Sequence, residues 1–313
     1  MRIGTFISDT GGARTDVSEL RDVALWTEAA GFTTAWVPHL PWGLDALVAL
    51  TVAGQVTSRI ELGSAVTPTY PVHPMSMARS ALSVNAAVGG RLALGIGPSH
   101  ASVIENMHGL HYDRPALHTR EYLQILRAAF AGTGQLEGHG EFFDFTSMFA
   151  VPGQREPVLL IAALAPLMLK LAGELADGTI LWFADEHAIE NHVVPRITEA
   201  AAAAGRPAPR IIAPLPVALC DEAEGRERAA QTFAAYTQIP TYQRILARGA
   251  EGTGPAELVV VGDEAAIERR LRRLAAVGVT DFVAAPFPVG ADRAESMRRT
   301  RDFLAQVAPE IAP

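Results

Sequence analysis

Two histidines stand directly after short apolar segments of the chain. His39 follows Thr34–Val37 closely, and His100 lies just beyond Leu92–Ile96. The ordinary pKa of histidine lies near neutral pH, so either imidazole could take up or release a proton during a reaction. A lone histidine is often a structural residue, and that alternative stays open for both. His39 and His100 are the catalytic candidates.

Other polar side chains favour no second chemistry. Ser99 lacks the Gly-x-Ser-x-Gly turn that exposes a nucleophilic serine in hydrolases. His108, His111 and His118 have no carboxylate at the spacing of metal ligands. The sequence therefore predicts neither a hydrolase nor a metal site.

A strand–helix–strand unit positions these residues. Its apolar runs, Ile60–Val66 and Leu92–Ile96, are typical of buried parallel strands. Between them, Pro74 suits the first turn of a helix and Gly89 suits the left-handed residue after its end. The residues that could do chemistry follow the far ends of the two strands.

The same alternation continues along the chain. Helical patterns separate the strands, and Gln135–Glu137 with Glu141–Phe145 predict a small hairpin outside the repeat. This predicts an α/β fold, a (β/α)₈ TIM barrel over residues 1–313 as one domain, with insertions after strands four and seven. The predicted strands are Ile3–Ser8, Thr34–Val37, Ile60–Val66, Leu92–Ile96, Val158–Ala162, Thr179–Trp182, Ile211–Leu219 and Asp281–Ala285.

A doubly wound sheet is the competing architecture. It would place a glycine-rich turn directly after the first strand, with a third glycine at fixed spacing. Gly95-Ile-Gly97 follows the fourth strand and lacks that third glycine. A dinucleotide-binding fold is therefore disfavoured.

Composition limits the possible partners and compartments. The formal net charge is −8, which disfavours general affinity for nucleic acid or anionic membranes. The single cysteine, Cys220, excludes an intramolecular disulfide and suits a reducing compartment. No apolar run approaches the length of a membrane span, and the first residues resemble a strand rather than a signal peptide. We expect a cytoplasmic protein that acts on a small molecule.

At this level of detail the sequence resembles the luciferase-like monooxygenase superfamily, and in particular its branch of oxidoreductases that use coenzyme F420, a deazaflavin. The resemblance covers nearly the whole chain and lies closest to methylenetetrahydromethanopterin reductase-like members. The segments that carry it are Gly31–Val37, Leu62–Pro74, Gly90–His100, Tyr112–Pro115 with Thr119–Tyr122, Leu175–Thr179 and Val261–Glu264.

The resemblance implies an eight-stranded barrel, often a homodimer, that passes a hydride between F420 and a substrate carbon. Two alternatives remain. One is an FMN-dependent monooxygenase of the same superfamily, served by a separate flavin reductase. The other is a catalytically silent flavin-binding or interaction protein.

The resemblance also implies a bulge with a non-proline cis peptide in the third strand, against which the coenzyme ring rests. The matching residues are Ser64, Ala65 and Val66. Small side chains there would let the backbone approach a flat ring closely. The alternative is an ordinary buried strand end.

The family binds the coenzyme phosphate in the loop after strand five, which corresponds to Ala162, Ala163, Leu164 and Ala165. Backbone N–H groups at a helix start bind anions without a basic side chain. Leu164 and Ala165 replace the usual glycine or serine, so a plain strand-to-helix turn is the alternative.

The remaining expected coenzyme contacts lie at the ends of other strands. In relatives an acid or a histidine often faces the ring at the position of His39, and some carry a glutamate in the loop of His100. The remaining residues expected beside the coenzyme are Gly97, Ser99 and Gly178. Nothing in the sequence identifies the substrate.

Overall fold

A computed structural model describes residues 1–8, 15–250 and 254–311. Within these ranges, strands and helices alternate along the chain. The strands are β1 (Arg2–Phe6), β2 (Thr34–Val37), β3 (Glu61–Ser64), β4 (Thr67–Pro68), β5 (Leu92–Gly97), β6 (Gln135–His139), β7 (Asp144–Met148), β8 (Val158–Ala162), β9 (Gly178–Ile180), β10 (Arg210–Leu219), β11 (Val260–Gly262) and β12 (Asp281–Pro286). The helices are α1 (Val17–Ala29), α2 (Ala46–Val56), α3 (Pro74–Ala87), α4 (Ala101–Asn106), α5 (Pro115–Ala131), α6 (Pro166–Leu175), α7 (Glu186–Ala188), α8 (Val194–Ala203), α9 (Glu222–Thr232), α10 (Pro240–Leu246), α11 (Pro255–Leu258), α12 (Glu264–Ala276) and α13 (Arg293–Ile311), with a π-helix over Ile189–Val193 and a 3₁₀-helix over Ala234–Gln238.

Parallel strands close into a barrel. In order around the ring they are β1, β2, β3 continued by β4, β5, β8, β9, β10 and β12, and β12 pairs with β1 again. The carboxyl ends of these strands form one face of the barrel, the mouth, and their amino ends form the opposite face. The predicted (β/α)₈ barrel is confirmed.

Further elements lie between the barrel strands. Helices α4 and α5 and the antiparallel hairpin β6–β7 separate β5 from β8. Helices α9 to α12, the 3₁₀-helix and the short β11 separate β10 from β12. The hairpin was predicted, whereas β11, which pairs with the last residues of β10, was not.

Two sets of apolar side chains hold the barrel together. One set packs inside it, and the other lies between the strands and the apolar faces of the surrounding helices, for example Leu20, Leu50 and Leu271. This arrangement is expected for a TIM barrel, whose interior is a packed core and not a pore. The inner set is Phe6, Trp36, Ala93, Leu160, Ile180, Ile212, Val283 and Ala285.

A charged cluster, the Arg210 network, crosses the face opposite the mouth. The Arg210 guanidinium lies 2.7 Å from Glu61 and 2.8 Å from Asp281, and Arg2 lies 2.5 Å from Asp281. Burial opposes the charge of Arg210, but the two carboxylates outweigh it and raise the pKa of the guanidinium. Ion pairs therefore connect the first, third, seventh and eighth barrel strands.

Glu28 connects α1 to the chain segment that enters β3. Its carboxylate accepts backbone N–H groups from Ser58 at 3.0 Å, Arg59 at 2.7 Å and Ile60 at 2.8 Å. Partial burial works against ionisation, yet these hydrogen bonds lower the pKa of Glu28 to about 2. The link therefore holds at all ordinary pH values.

The boundary signals around α3 were reliable. Pro74 is its first residue, and Gly89 has a φ of 72°, as a left-handed residue after a helix should. Strand ends were less exact. The third predicted strand is interrupted after Ser64. The sixth strand of the structure begins at Gly178, one residue before the predicted start, and ends at Ile180.

Candidate active site

The third barrel strand breaks at the mouth. A cis peptide bond joins Ala65 to Val66, between the end of β3 and the start of β4. Both side chains are half-buried and pack on the interior of the barrel. The predicted cis peptide is confirmed at the predicted residues.

The Ser64 side chain has a structural role between two strands, and the predicted contact of its backbone with a coenzyme stays a prediction. Its hydroxyl accepts the backbone N–H of Gly95 at 3.0 Å and donates to the Gly95 carbonyl at 2.8 Å. The residue is 0% exposed. The Ser64 side chain therefore fixes β3 to β5 and is not available to contact a coenzyme.

Three adjacent barrel strands present small residues to one point at the mouth. A Cβ added to Gly97 would lie 3.0 Å from both the Val66 Cγ2 and the Ala162 Cβ. The structure thus brings together Val66, Gly97 and Ala162 as predicted. Only glycine leaves the space between them open.

Two residues other than glycine have left-handed backbones at the mouth. Ser99, beyond β5, has a φ of 61°, and Phe183, beyond β9, has a φ of 60°. Such conformations are unfavourable for residues with a Cβ and concentrate at functional sites. Phe183 is stacked on Tyr236 at 4.8 Å between ring centroids, which anchors it.

His39 lies at the end of β2. Its Nδ1 accepts the N–H of Ala46 at 3.4 Å, which places the ring proton on Nε2. Burial lowers the pKa of His39, His108 lowers it further, and Asp45 at 3.9 Å opposes them. The imidazole is therefore neutral at pH 7, with an N–H to donate.

His100 begins the turn into α4. Its ring meets Tyr242 of α10 edge-on at 5.4 Å, and its side chain makes no capping hydrogen bond. Burial lowers the pKa of His100 as well. Both predicted histidines are thus half-buried neutral bases at the mouth.

Side chains from other elements donate hydrogen bonds to the carbonyl groups in and beside the turn between β8 and α6, residues Ala162–Ala165. Thr179 Oγ1 lies 3.1 Å from the Ile161 carbonyl and 3.2 Å from that of Ala163. The His192 Nε2 donates to the Leu164 carbonyl at 2.7 Å. With the carbonyls engaged, the turn can direct N–H groups toward the mouth.

Those N–H groups have no partner within the described residues. No backbone hydrogen bond engages the amides of Leu164 and Ala165, and α6 starts without a side-chain cap. Uncapped N–H groups at a helix start attract anions. The turn can therefore bind an anion despite the bulk of Leu164.

Gly178 does not belong to this site. It is the first residue of β9 and pairs with Arg210, so it lies at the face opposite the mouth. A Cβ there would meet the Arg210 carbonyl at 2.2 Å, which explains the glycine as a close backbone contact. Its predicted role in coenzyme binding was wrong.

Several residues at the mouth were missed by the sequence analysis. Trp182 packs against the inner set beside Ala65 and Val66, and the Thr67 and Thr69 hydroxyl groups are buried without a hydrogen-bond partner in the described part of the chain. His192 is 3% exposed and lies in the π-helix, a feature frequent at functional sites. No local pattern marks these residues, because their contacts are with distant parts of the sequence.

Neither a metal site nor a membrane helix is found in the ranges that the structure describes. No cluster of histidine, cysteine and acidic residues there could hold a metal ion. None of the described helices is long and apolar enough to cross a membrane.

Comparison with known proteins identifies related chains. A family model described as luciferase-like monooxygenase matches residues 1–293. The chain is 29% identical to 5,10-methylenetetrahydromethanopterin reductase of Methanolobus tindarius over 165 residues, which are 53% of this chain and 50% of that relative.

Solved structures share the fold. An F420-dependent secondary alcohol dehydrogenase in complex with an F420–acetone adduct aligns with a TM-score of 0.80 at 18% identity, over 100% of this chain and 99% of that one. The oxygenating constituent of 3,6-diketocamphane monooxygenase from Pseudomonas putida, in complex with FMN, aligns with a TM-score of 0.75 at 17% identity and complete coverage of both chains.

Proposed function

The chain belongs to the luciferase-like monooxygenase family, and on that premise we propose that it is an oxidoreductase passing a hydride between coenzyme F420 and a small organic substrate. The arrangement of the mouth carries this proposal. A small-residue gap for a flat ring lies beside a turn whose free amides suit a phosphate.

The residues at the mouth leave room for the flat face of a tricyclic ring. Val66, Gly97 and Ala162 leave room for a flat group beside Ala65. Trp182, half-buried beside Ala65 and Val66 on the barrel interior, would give such a ring an aromatic neighbour.

The acidic tail of the coenzyme would bind at the β8–α6 turn. Thr179 and His192 hold the carbonyls of this turn away from the ligand. The amides of Leu164 and Ala165 can then donate to a phosphate. An acidic protein would in this way bind an acidic coenzyme without a lysine or arginine at the phosphate.

Bound F420 supplies the two-electron carrier for the reaction. The protein orients it and controls protons. The neutral His39 ring can donate a hydrogen bond from Nε2, while the neutral His100 ring, packed edge-on against Tyr242, can accept a proton.

F420 is favoured over FMN by sequence. The relatives that match near 30% identity include a methylenetetrahydromethanopterin reductase and a putative coenzyme F420-dependent oxidoreductase of Mycobacterium tuberculosis. The FMN-bound structure is related at the level of fold only. An FMN-dependent monooxygenase is the second candidate, supported by that shared fold.

Titration of the purified chain with each coenzyme tests the proposal. We expect F420 to bind at least about tenfold more tightly than FMN. Removing the phosphate from the deazaflavin should weaken binding, because the β8–α6 turn then loses its ligand. Tight FMN binding with no F420 binding would favour the monooxygenase, and binding of neither would reject both.

The same proposal includes the homodimer implied by the family resemblance and the cytoplasmic location expected from the composition. Light scattering of the purified chain with and without F420 gives the oligomeric state directly.

A further inference from the structure

A cleft separates the first and last long helices of the barrel, α1 and α13. Its volume is about 640 Å³, within the range of small-molecule sites. The ends of β1 and β12 form its inner wall. We refer to it as the α1–α13 cleft.

The cleft reaches the barrel interior. Phe6 and Ala285 line it, and both belong to the set of side chains packed inside the barrel. Around the ring, β1 lies opposite β8, and β12 lies opposite β5. A ligand in the cleft would therefore approach the mouth from the side opposite the β8–α6 turn.

The walls of the cleft are largely apolar near the barrel. Val23 and Trp26 of α1 face Phe287 beyond β12 and Met297 of α13. Aromatic and aliphatic surface of this kind favours the apolar body of a ligand.

The charges of the cleft are unevenly paired. Arg228, Arg293 and Arg301 make no ion pair or hydrogen bond with described residues, whereas Arg298 lies 2.6 Å from Glu295 and 2.9 Å from Asp302. The Arg301 Nε is buried without a partner.

The acids of the cleft do not neutralise these arginines. Glu19 and Asp22, on the α1 side, are exposed and form no ion pair with them; burial lowers the pKa of Arg301, and the charge of Glu19 offsets this only in part. Three unpaired arginines and two unpaired carboxylates leave one positive charge in excess among the described lining residues. A ligand with a single negative charge balances this excess, whereas a multiply charged anion would meet repulsion from α1.

We propose that the α1–α13 cleft binds the substrate, and that this substrate is a monocarboxylate with an apolar or aromatic body. The carboxylate would pair with Arg301 and Arg228, because a guanidinium binds a carboxylate by paired hydrogen bonds. The apolar body would extend along Trp26 and Phe287 toward the mouth. The role as substrate rests on the proposed F420 chemistry; the binding site itself does not.

Fluorescence titration with 2-naphthoate tests the site directly, with the neutral 2-acetylnaphthalene as comparison. We expect the carboxylate to bind at least about tenfold more tightly than the ketone, because only it pairs with the arginines. Arg301→Met and Arg228→Gln should each raise the dissociation constant of 2-naphthoate about tenfold. Arg272→Gln, an exposed position on α12 already paired with Glu268, is the matched control and should change nothing.

A second titration, with the protein saturated with F420, separates this inference from the proposed function. Binding of 2-naphthoate should persist, since the α1–α13 cleft and the β8–α6 turn lie on opposite sides of the barrel. Equal affinity for acid and ketone, or unchanged affinity in both arginine variants, would overturn the inference. If 2-naphthoate binds as described but F420 does not, the cleft stands and the proposed coenzyme fails.

Discussion

Buried polar groups are paired at one end of the barrel and include unpaired ones at the other. At the face opposite the mouth, Asp281 is 1% exposed and pairs with both Arg2 and Arg210. Near the mouth, Thr67 and Thr69 bury hydroxyl groups that have no partner in the described chain. None of the unpartnered buried atoms of the described residues lies in the Arg210 network.

This difference separates stability from recognition. Satisfied polar groups hold a fold together, whereas unsatisfied buried groups need a ligand or water to complete them. The left-handed residues Ser99 and Phe183 also lie at the mouth. In TIM barrels the carboxyl-end face generally holds the active site, and it is the face at which we propose the site of this chain.

Breaking the Arg210 network should have the largest effect. Asp281→Asn leaves the half-buried guanidinium groups of Arg2 and Arg210 without a full counter-charge, so we expect the free energy of unfolding to fall by about 3 kcal/mol. Urea denaturation measures this. The dissociation constant of F420 for the folded protein should not change, because the network lies at the other end of the barrel.

Glu268→Gln is the control for Asp281→Asn. It breaks an exposed pair with Arg272, and its cost should stay below about 0.5 kcal/mol. Equal stability of the two variants would contradict the division between the ends.

Protonation of His118 should lower the free energy of unfolding at acid pH. This residue is 2% exposed on α5 and stacks on Tyr70 at 3.9 Å; burial lowers its pKa to about 4, with Glu121 opposing the change. The unfolded chain takes up the proton near pH 6.5 and the native state only near pH 4. Stability should therefore fall over that interval by up to about 3 kcal/mol.

His118→Phe keeps the aromatic stack and removes the proton. Urea denaturation at several pH values should show a weaker dependence between pH 6.5 and 4 for the variant than for the parent chain. Parallel curves would show that His118 does not contribute to the acid sensitivity.

Two glycines of β5 separate the effects within one strand. A Cβ on Gly95 would lie 2.0 Å from the Ser64 carbonyl, so Gly95→Ala should lower the free energy of unfolding by about 1–3 kcal/mol. Gly97→Ala meets only side-chain atoms at 3.0 Å and should cost less stability, yet raise the dissociation constant of F420 roughly tenfold. A reversed order of the two stability losses would contradict this assignment.

The smallest expected effect concerns the β8–α6 turn. His192→Leu removes the hydrogen bond to the Leu164 carbonyl, worth about 1 kcal/mol, so F420 affinity should fall about fivefold. His192→Gln retains a donor and should recover part of it. A deazaflavin without phosphate should bind all three proteins equally, and an equal loss for both ligands would mean that His192 does not act through the turn.

Local sequence patterns predicted the frame of the barrel well. Buried parallel strands are apolar throughout, and Pro74 and Gly89 mark helix ends by their own backbone preferences. The cis bond at Ala65–Val66 came from the family resemblance, since no local propensity indicates it.

What the sequence did not reveal depends on distant contacts. Gly178 was misplaced because its role is set by Arg210, across a strand pair. The His192 hydrogen bond spans 28 residues, and the α1–α13 cleft joins helices from opposite ends of the chain. The bond between Ser64 and Gly95 likewise cannot be read from either segment alone.

Glu28 links α1 to the third barrel strand, in addition to the packing of the helix. One face of this helix, at Val23 and Trp26, forms a wall of the α1–α13 cleft, and the carboxylate near its end grips three amides leading into β3. These amides lead into β3, and the cis bond between Ala65 and Val66 follows the end of that strand. A shift of the helix would therefore displace the surface on which we propose that the coenzyme lies, which would link coenzyme binding to occupancy of the cleft.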